Sequence, residues 1–382
     1  MKVTTVETFV LSERQVLVRV GTDEGPAGWG DATLEHRPGT VTAAVRELSG
    51  ALLGEDPLPV TRHWQALMRG GFYRGGAVLG SAVAGLDQAL WDLRGRYFGR
   101  PVHELLGGPV RDRVRMYAHA GAAGRTGAPD RARELVARGY TLVKASIDGP
   151  VDFLAVPAQT RRFAEDLEAL RDAVGEHADF GIDLHGRVSV PHARRLAEAV
   201  AHTRPAFLEE PLRPEHSAQI GRITAATSVP IATGERLFGR EEFLPVLKAG
   251  IAIAQPDLSH AGGITEVFRI ATMAESFDVQ LAPHCPVGPV ALAACLQVDL
   301  AVPNFYAQEH VIDLSSPGSP DLAVLRDPRV LLAVDGHVRR PEGPGLGIDV
   351  DEEYVRAHAQ TGVDIPDGNP TWRYPDGGFA EW

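Results

Sequence analysis

Polar residues that could do chemistry recur in this sequence at nearly constant intervals. Each stands at the end of a short apolar run: Asp183, Glu209, Glu235, Asp257, His284 and Glu309. The gaps between neighbours are 26, 26, 22, 27 and 25 residues. One strand and one helix of a parallel β/α barrel together have about this length, and such barrels keep their active sites at the carboxyl ends of the strands. We therefore expect these side chains to meet at one mouth of a barrel.

Three of these residues are acids on successive predicted strands. Asp183, Glu209 and Glu235 would place hard oxygen ligands around one point. Oxygen ligands suit Mg²⁺ or Mn²⁺, with water or substrate completing the coordination shell. The alternative is a set of solvated acids, or of acids neutralised by nearby arginines. The spacing favours a site for one Mg²⁺, with Mn²⁺ as a substitute.

Two histidines accompany the acids and predict proton transfer. A carboxylate on the preceding strand, Asp257, could orient the His284 imidazole as a general base. His185 follows Asp183 by two residues, so it should emerge on the same side of the strand. It could act as an acid, or serve only as a partner of the metal ligands.

A metal, a base and an acid in one site favour removal of a proton next to a carboxylate. The resulting enediolate carries extra negative charge, which a metal ion and hydrogen-bond donors stabilise. Glu309, if protonated, could be one such donor. With a hydroxyl on the β-carbon, His284 as base and His185 as acid predict the elimination of water from a hydroxy acid.

The elements that must position these residues have the pattern of a parallel barrel. Eight apolar runs alternate with amphipathic helical patterns over residues 113–320, and buried parallel strands read as such continuous runs. The runs are VRMYAHA, TLVKASI, DFGIDLH, PAFLEE, VPIATGE, IAIAQPD, VQLAPH and FYAQEH. A doubly wound open sheet is the alternative.

Residues 1–112 and 321–382 have different patterns. Residues 1 to about 30 alternate like an antiparallel sheet, and helical patterns follow, one with Ser81 as its predicted N-cap and Gly99 as its stop. This part is predicted to be an α+β domain. Residues 321–382 are rich in Gly, Pro and charge, and we expect them to pack back on the N-terminal part.

Composition excludes several classes of protein. The 382 residues are 44% hydrophobic and 23% charged, with no apolar run of about 18 residues that could cross a membrane. Lys and Arg number 38 against 50 Asp and Glu, a net charge of −12, which argues against a nucleic-acid partner. Two cysteines cannot build a disulfide framework, and the N-terminus does not resemble a signal peptide. A cytoplasmic location is expected.

Several longer stretches resemble a known family. They include GFYRGG (71–76), AGLDQALWD (84–92), GIDLHGRVS (181–189), FLEEP (207–211), ATGERLF (232–238), QPDLSHAGGITE (255–266) and LAPHCPVGPVALAACL (281–296), together with the terminal AEW. The chain resembles the mandelate racemase subgroup of the enolase superfamily, and within it the D-galactonate dehydratases. Superfamily members use a Lys or His base with Mg²⁺.

The resemblance implies a fold, a reaction and roles for the residues. It implies a (β/α)7β barrel, a modified TIM barrel, with an α+β capping domain made from the N-terminal region and the C-terminal segment. It implies Mg²⁺ on the three acids, His284 with Asp257 as base, His185 as acid, and Glu309 on the substrate carboxylate. The substrate would be a sugar acid, D-galactonate or a related aldonate, and the product a 2-keto-3-deoxy sugar acid.

Departures from the family pattern bear on the substrate and leave alternatives open. The second barrel strand carries Lys144 but has Ser146 where racemases place a second lysine, so a racemase, epimerase or cycloisomerase is a less favoured alternative, as is a silent homologue. Lys144 could face the substrate carboxylate, be structural, or lie on the surface. The loop 31–39 begins with Asp31 where Glu is expected. Tyr73 and Arg74 could reach the substrate from the cap, or only support their loop. A homo-oligomer is expected.

Overall fold

The N-terminal residues form a three-stranded antiparallel sheet in this computed structural model, which describes residues 1–125, 127–360 and 371–380. The strands are β1 Val3–Ser12, β2 Gln15–Thr22 and β3 Gly28–Asp31, in the order β1-β2-β3. Their alternating apolar residues bury one face of the sheet against a helix. Gly28 and Gly30 allow this close packing, because a Cβ at either position would collide with the backbone of that helix.

Helices complete the cap within residues 1–112. They are α1 Pro38–Ser49, α2 Val60–Arg69, α3 Gly76–Phe98 and α4 Val102–Leu105. Gly99 ends α3 in the left-handed conformation with φ of 64°, as predicted. The prediction for Ser81 was wrong, because α3 begins at Gly76 and Ser81 lies buried inside it. Its hydroxyl faces the Nδ1 atom of His260 at 2.9 Å, which joins the cap to the next domain.

The predicted barrel is confirmed. Its strands are β4 Arg113–Ala122, β5 Leu142–Ser146, β6 Asp179–Asp183, β7 Phe207–Glu209, β8 Ile231–Thr233, β9 Ile253–Ala254, β10 Gln280–Leu281 and β11 Gln308–His310. Neighbours pair in parallel from β4 to β10, and β11 returns to pair with β4. Asp183 is the register partner of both Ser146 on β5 and Glu209 on β7. The predicted site residues thus end neighbouring strands at the same level.

Helices connect the strands to give the (β/α)7β order. They are α5 Ala128–Ala137, α6 Pro157–Val174, α7 Val190–Val200, α8 Gly221–Thr224, α9 Arg240–Lys248, α10 Gly263–Glu275 and α11 Pro289–Ala301. Short 3₁₀ segments occur at Ala201–Thr203, Pro214–Gln219, Pro320–Leu322 and Pro328–Leu331. Ser189 caps α7 by accepting from the His192 backbone N–H, and this helix follows the strand that carries Asp183.

The C-terminal segment divides between the cap and the barrel. A hairpin of β12 Ala333–Val334 and β13 His337–Arg339 pairs antiparallel with β4. Helix α12 Glu352–His358 packs on the cap, where Arg356 pairs with Glu7 of β1 at 2.9 Å. Farther on, the Tyr374 hydroxyl donates to the Val151 carbonyl of the barrel. The described part of residues 321–382 thus contacts both the cap and the barrel, and residues 361–370 and 381–382 of the predicted segment lie outside the described residues.

Every helix in the described part of the chain is too short or too polar to span a lipid bilayer. The division at residues 112 and 320, the cytoplasmic location, the absence of a nucleic-acid partner and the homo-oligomeric assembly stay predictions.

Candidate active site

The carboxyl ends of the barrel strands open into a cavity of about 630 Å³ that the cap closes from the other side. The barrel contributes His119, Lys144, Asp183, His185, Glu235 and His284 to its wall, and the cap contributes Arg14, Leu34, Glu35 and His36. The largest polar part of the wall therefore comes from the strand ends, as the regular spacing predicted.

Three carboxylates meet at the bottom of this cavity. One oxygen from each of Asp183, Glu209 and Glu235 lies within 4.8 Å of the others. Asp183 and Glu209 have side chains 1% exposed, and the Oε2 atom of Glu209 has no hydrogen-bond partner. A buried acceptor without a partner is costly. A divalent cation at this point would satisfy that oxygen, so the donor set fits Mg²⁺ or Mn²⁺.

The crowding of negative charge also changes the pKa values of these acids. Burial raises the pKa of Glu209 well above its ordinary value, and the nearby charge of Asp183 adds to the effect. Burial likewise raises the pKa of Glu235. At Asp183 burial is outweighed by His185 and Lys144, which hold the pKa well below its ordinary value. Three carboxylates this close repel one another unless a positive charge lies near them.

Lys144 supplies part of that charge. Its Nζ atom lies 2.6 Å from Glu209, 2.6 Å from Glu309 and 3.2 Å from Asp183. The side chain is 1% exposed, so the surface interpretation was wrong. Burial opposes the charge, but these carboxylates raise the pKa of Lys144 well above its ordinary value, and it stays an ammonium ion.

His284 and Asp257 form the predicted pair. The Nδ1 atom of His284 lies 2.8 Å from Asp257 Oδ2, which makes Nδ1 the donor, and Nε2 points to Glu235 Oε2 at 3.3 Å. Burial lowers the pKa of His284, but the charges of Glu235, Glu309 and Asp257 together raise it well above its ordinary value. The ring is thus oriented with one nitrogen toward the metal-ligand cluster.

His185 lies beside the same cluster. Its backbone N–H donates to Asp183 Oδ1 at 2.8 Å, and its Nε2 atom lies 2.9 Å from Asp183 Oδ2. A positive φ of 50° turns the residue out of the strand and over the cavity. The structure brings His185 to the wall, in contact with a metal-ligand candidate, which suits both interpretations given to it.

Glu309 lies among groups that donate to its carboxylate. Lys144 Nζ and His119 Nε2 each lie 2.6 Å from Oε1, and the Cys285 backbone N–H donates to Oε2 at 3.1 Å. Burial favours the protonated form of Glu309, but Lys144, His284 and His119 hold its pKa well below the ordinary value. These contacts favour an ionised carboxylate that accepts hydrogen bonds, and the donor role that a protonated Glu309 would have stays a prediction.

Sequence reasoning missed two histidines. His119 lies in the first barrel strand as the register partner of Lys144, and it precedes Lys144 by 25 residues, so the interval that found the others could have found it. His260 lies three residues beyond Asp257, and its Nε2 atom is 3.7 Å from Asp257 Oδ2 and 3.3 Å from Glu35 Oε2. Burial lowers the pKa of His260, but Asp257 and Glu35 raise it to about 9. No sequence interval relates His260 to Glu35.

Glu210 faces away from the cluster, since neighbouring side chains on a strand point in opposite directions. It accepts from the Thr233 hydroxyl at 2.6 Å and from the Gly234 N–H at 2.9 Å, and it pairs with Arg236. These contacts hold the loop that carries Glu235. Glu210 therefore supports the site without joining the three acids.

The cap residues expected near the substrate are placed differently. Tyr73 is 88% exposed, and Arg74 turns back to donate to the Arg69 carbonyl, so neither lines the cavity and their substrate role stays a prediction. Asp31 is fully buried and accepts from Thr33, and burial raises its pKa to about 7. The residue of the 31–39 loop that presents a carboxylate to the cavity is Glu35.

Comparisons with known proteins cover the whole chain. The mandelate racemase / muconate lactonizing enzyme N-terminal domain matches residues 1–107, and the enolase C-terminal domain-like family matches residues 128–354. D-galactonate dehydratases from Ralstonia nicotianae and Pectobacterium atrosepticum are 46% and 43% identical, each over 100% of both chains.

Solved structures agree with the fold. An enolase from Agrobacterium radiobacter with bound Na and L-malate has a TM-score of 0.89 at 32% identity, over 100% of both chains. A mandelate racemase/muconate lactonizing enzyme from Jannaschia has a TM-score of 0.86 at 33% identity, over 95% of this chain and 98% of the other.

Proposed function

This chain belongs to the mandelate racemase/muconate lactonizing enzyme family of the enolase superfamily, and we propose that it is a Mg²⁺-dependent sugar-acid dehydratase. The substrate is D-galactonate or a related aldonate, and the product is the 2-keto-3-deoxy sugar acid. One observation carries the proposal: three carboxylates, a His–Asp pair and a second histidine border one cavity. The D-galactonate dehydratases with 43–46% identity over the full length support it.

The metal supplies charge stabilisation. Asp183, Glu209 and Glu235 would hold Mg²⁺, which when bound would supply the positive charge that lowers the barrier to removing the proton next to the substrate carboxylate. Lys144 adds a fixed ammonium group beside the same carboxylates. Buried charges of this kind act strongly because water does not screen them.

His284 removes the proton from C2 of the substrate. Its Nδ1–H donates to Asp257, so Nε2 is the nitrogen that takes the proton. A cation on Glu235 would offset the carboxylate charge that raises the pKa of His284, and so would favour the neutral ring that a base requires. The electron pair of the broken C–H bond is delocalised into the carboxylate. Asp257 keeps the ring in this orientation and stabilises the imidazolium ion that forms.

His185 completes the elimination. It gives a proton to the hydroxyl on C3, the C3–O bond breaks, and water leaves as the C2–C3 double bond forms. The enol then becomes the 2-keto acid by taking a proton at C3 and losing the proton of the C2 hydroxyl. The overall change is the loss of one water molecule, so no oxidant or reductant is needed.

Racemisation is less well supported. It needs a second base on the opposite face of the substrate carbon. Lys144 is held as an ammonium ion by three carboxylates, and Ser146 replaces the second lysine of the racemase pattern.

The test is turnover of a panel of aldonates and aldarates with Mg²⁺, read as the semicarbazone of the 2-keto acid. We expect product from D-galactonate or a related aldonate, and none after chelation of the metal. A silent panel with retained Mg²⁺ binding would contradict the proposal and favour racemisation or a silent homologue.

A further inference from the structure

A tryptophan near the C-terminus contacts the barrel loop that carries His185. The indole ring of Trp372 lies over the Arg187 guanidinium, with 4.2 Å between the Cζ atom and the ring centroid. Arg187 follows His185 by two residues in the loop after β6. The C-terminal segment therefore reaches the part of the barrel that positions the proposed acid of the reaction.

The segment around Trp372 has hydrogen bonds of its own and a second attachment to the barrel. The Ala380 N–H donates to the Trp372 carbonyl at 3.0 Å, and the Tyr374 N–H donates to the Gly378 carbonyl at 2.8 Å. The Tyr374 hydroxyl donates to the Val151 carbonyl at 3.0 Å, in the loop after β5. A turn closed by backbone hydrogen bonds and anchored at this point limits the positions open to the indole ring.

Arg187 links the loops that follow β5 and β6. Its Nη1 atom donates to the Ile147 carbonyl at 3.1 Å and to the Gly149 carbonyl at 3.4 Å. The residue is 5% exposed, and burial lowers its pKa to about 10, so the guanidinium keeps its charge at neutral pH. A cation that is withdrawn from water is attracted more strongly to an aromatic face than a solvated one. The Trp372 ring therefore stabilises Arg187 in this linking position.

The turn that carries His185 depends on contacts of this kind. His185 and Gly186 have positive φ values of 50° and 62°. A residue other than glycine keeps such a conformation only when its surroundings impose it. The Arg187 N–H donates to the Leu184 carbonyl at 3.0 Å across this turn. Because the side chain of Arg187 fixes the same turn to the loop after β5, loss of that contact would let the turn relax and move the imidazole.

His284 is positioned by a different part of the barrel. Its Nδ1 atom lies 2.8 Å from Asp257 Oδ2, and these residues follow the strands β10 and β9. The base is thus oriented by one pair of neighbouring strands, and the acid by the loops after β5 and β6 together with the C-terminal segment. A change at Trp372 should therefore affect the acid and spare the base.

We propose that Trp372 is a positioning residue for the acid of the reaction, because it holds Arg187 and, through Arg187, the turn of His185. The inference rests on the proposed dehydratase function. Without the indole ring, water solvates the guanidinium and competes with the carbonyls of the β5 loop. The turn then no longer fixes the imidazole where it can protonate the hydroxyl on C3, while His284 still removes the C2 proton.

The experiment uses Trp372→Ala in the full-length chain, with Mg²⁺ in D₂O and D-galactonate, or the aldonate of the panel that the wild type turns over fastest. Proton NMR follows the C2 proton, and the semicarbazone assay follows the 2-keto acid. We expect product formation to fall about tenfold or more, because a displaced acid loses much of its effect. The sum of C2 exchange and product formation should stay within about twofold of the wild type, since the base is unchanged.

Two further variants separate positioning from a general loss of structure. Trp372→Phe keeps an aromatic ring over Arg187 and should restore most of the product formation, because a phenyl ring also attracts a guanidinium. The matched control is Phe98→Ala, which removes an exposed ring from Arg94 of the cap and should leave exchange and product formation at the wild-type rates. A purely structural role of the segment would not shift the ratio of exchange to product.

Two results would overturn the inference while the dehydratase function stands. One is product formation in Trp372→Ala at the wild-type rate. The other is a folded, Mg²⁺-binding Trp372→Ala in which exchange and product formation fall together, since Trp372 would then not act on the acid alone. If the wild type neither exchanges the C2 proton of any sugar acid nor forms a 2-keto acid, the proposed function fails and the inference fails with it.

Discussion

The barrel wall and the cap wall of the cavity are built in different ways. On the barrel side the Glu309 carboxylate is fully buried and receives contacts of 2.6, 2.6 and 3.1 Å. On the cap side Glu35 makes contacts of 3.3 and 3.7 Å, and Arg14 is 48% exposed. Groups held by several short contacts on rigid strands suit chemistry that tolerates little displacement. Loosely held groups on turns can change with the substrate while the reaction stays the same.

The largest loss of activity is expected when a metal ligand in the barrel wall is removed. Glu235→Gln is expected to lower turnover by about a thousandfold or more, because metal stabilisation is worth several kcal/mol. Calorimetric titration with Mg²⁺ and the semicarbazone assay measure binding and turnover. Glu241→Gln, an exposed change on α9, is the control. Unchanged Mg²⁺ affinity in Glu235→Gln would remove this residue from the ligand set.

A smaller loss of activity is expected when His284 stays in place but no longer has the Asp257 carboxylate as its hydrogen-bond partner. Asp257→Asn should lower kcat by about 100-fold, because the His284 ring is no longer held in the required tautomer. Mg²⁺ affinity should stay the same, which separates this effect from that of Glu235. The control is Glu168→Gln, which removes the carboxylate from an exposed pair with His202. A kcat within twofold of the wild type would show that Asp257 does not orient the base.

His260 joins the two walls, so its charge should affect stability in a defined pH range. The pKa of His260 is raised from 6.5 to about 9, so its ion pairs stabilise the fold fully below pH 6.5 and are lost as the pH rises through 9. His260→Gln should therefore cost on the order of 2–3 kcal/mol at pH 6. The cost should disappear above pH 9. Urea unfolding at both pH values measures it, and an equal cost at both would contradict the charged state.

The smallest effect is expected at His119, which holds an acid that has other partners. His119→Phe removes one donor from Glu309, while Lys144 and the Cys285 N–H remain. We expect kcat/KM to fall about tenfold, as for the loss of one hydrogen bond to a charged group. His202→Phe breaks a surface pair of similar length, 2.7 Å, and should have no effect. Inactivation as complete as in Glu235→Gln would give His119 a direct role in the reaction.

Much of the barrel wall could be predicted from the sequence because the barrel repeats. Each strand and helix unit places one polar residue at the mouth of the barrel. Asp183, Glu209 and Glu235 can therefore be identified from the regular intervals between them in the sequence. The charge of Glu309 could not be predicted, because it depends on Lys144 and His119 from strands distant in sequence.

The cap wall gave no such periodic signal. Glu35 and His260 are separated by more than half of the chain, and only the packing of α3 on both domains brings them together. The wrong N-cap prediction for Ser81 also results from packing between the two domains. A serine before an apolar run looks like an N-cap, but α3 is buried around its middle and uses the hydroxyl to contact His260.

The most direct test of the central claim, that His284 is the base and His185 the acid, is proton NMR of D-galactonate in D₂O with Mg²⁺. His284→Asn should neither exchange the C2 proton for deuterium nor form product. His185→Asn should still exchange that proton but form no 2-keto acid, since the leaving hydroxyl lacks its acid. Exchange that persists in His284→Asn, or that is lost in a folded, Mg²⁺-binding His185→Asn, would contradict the account.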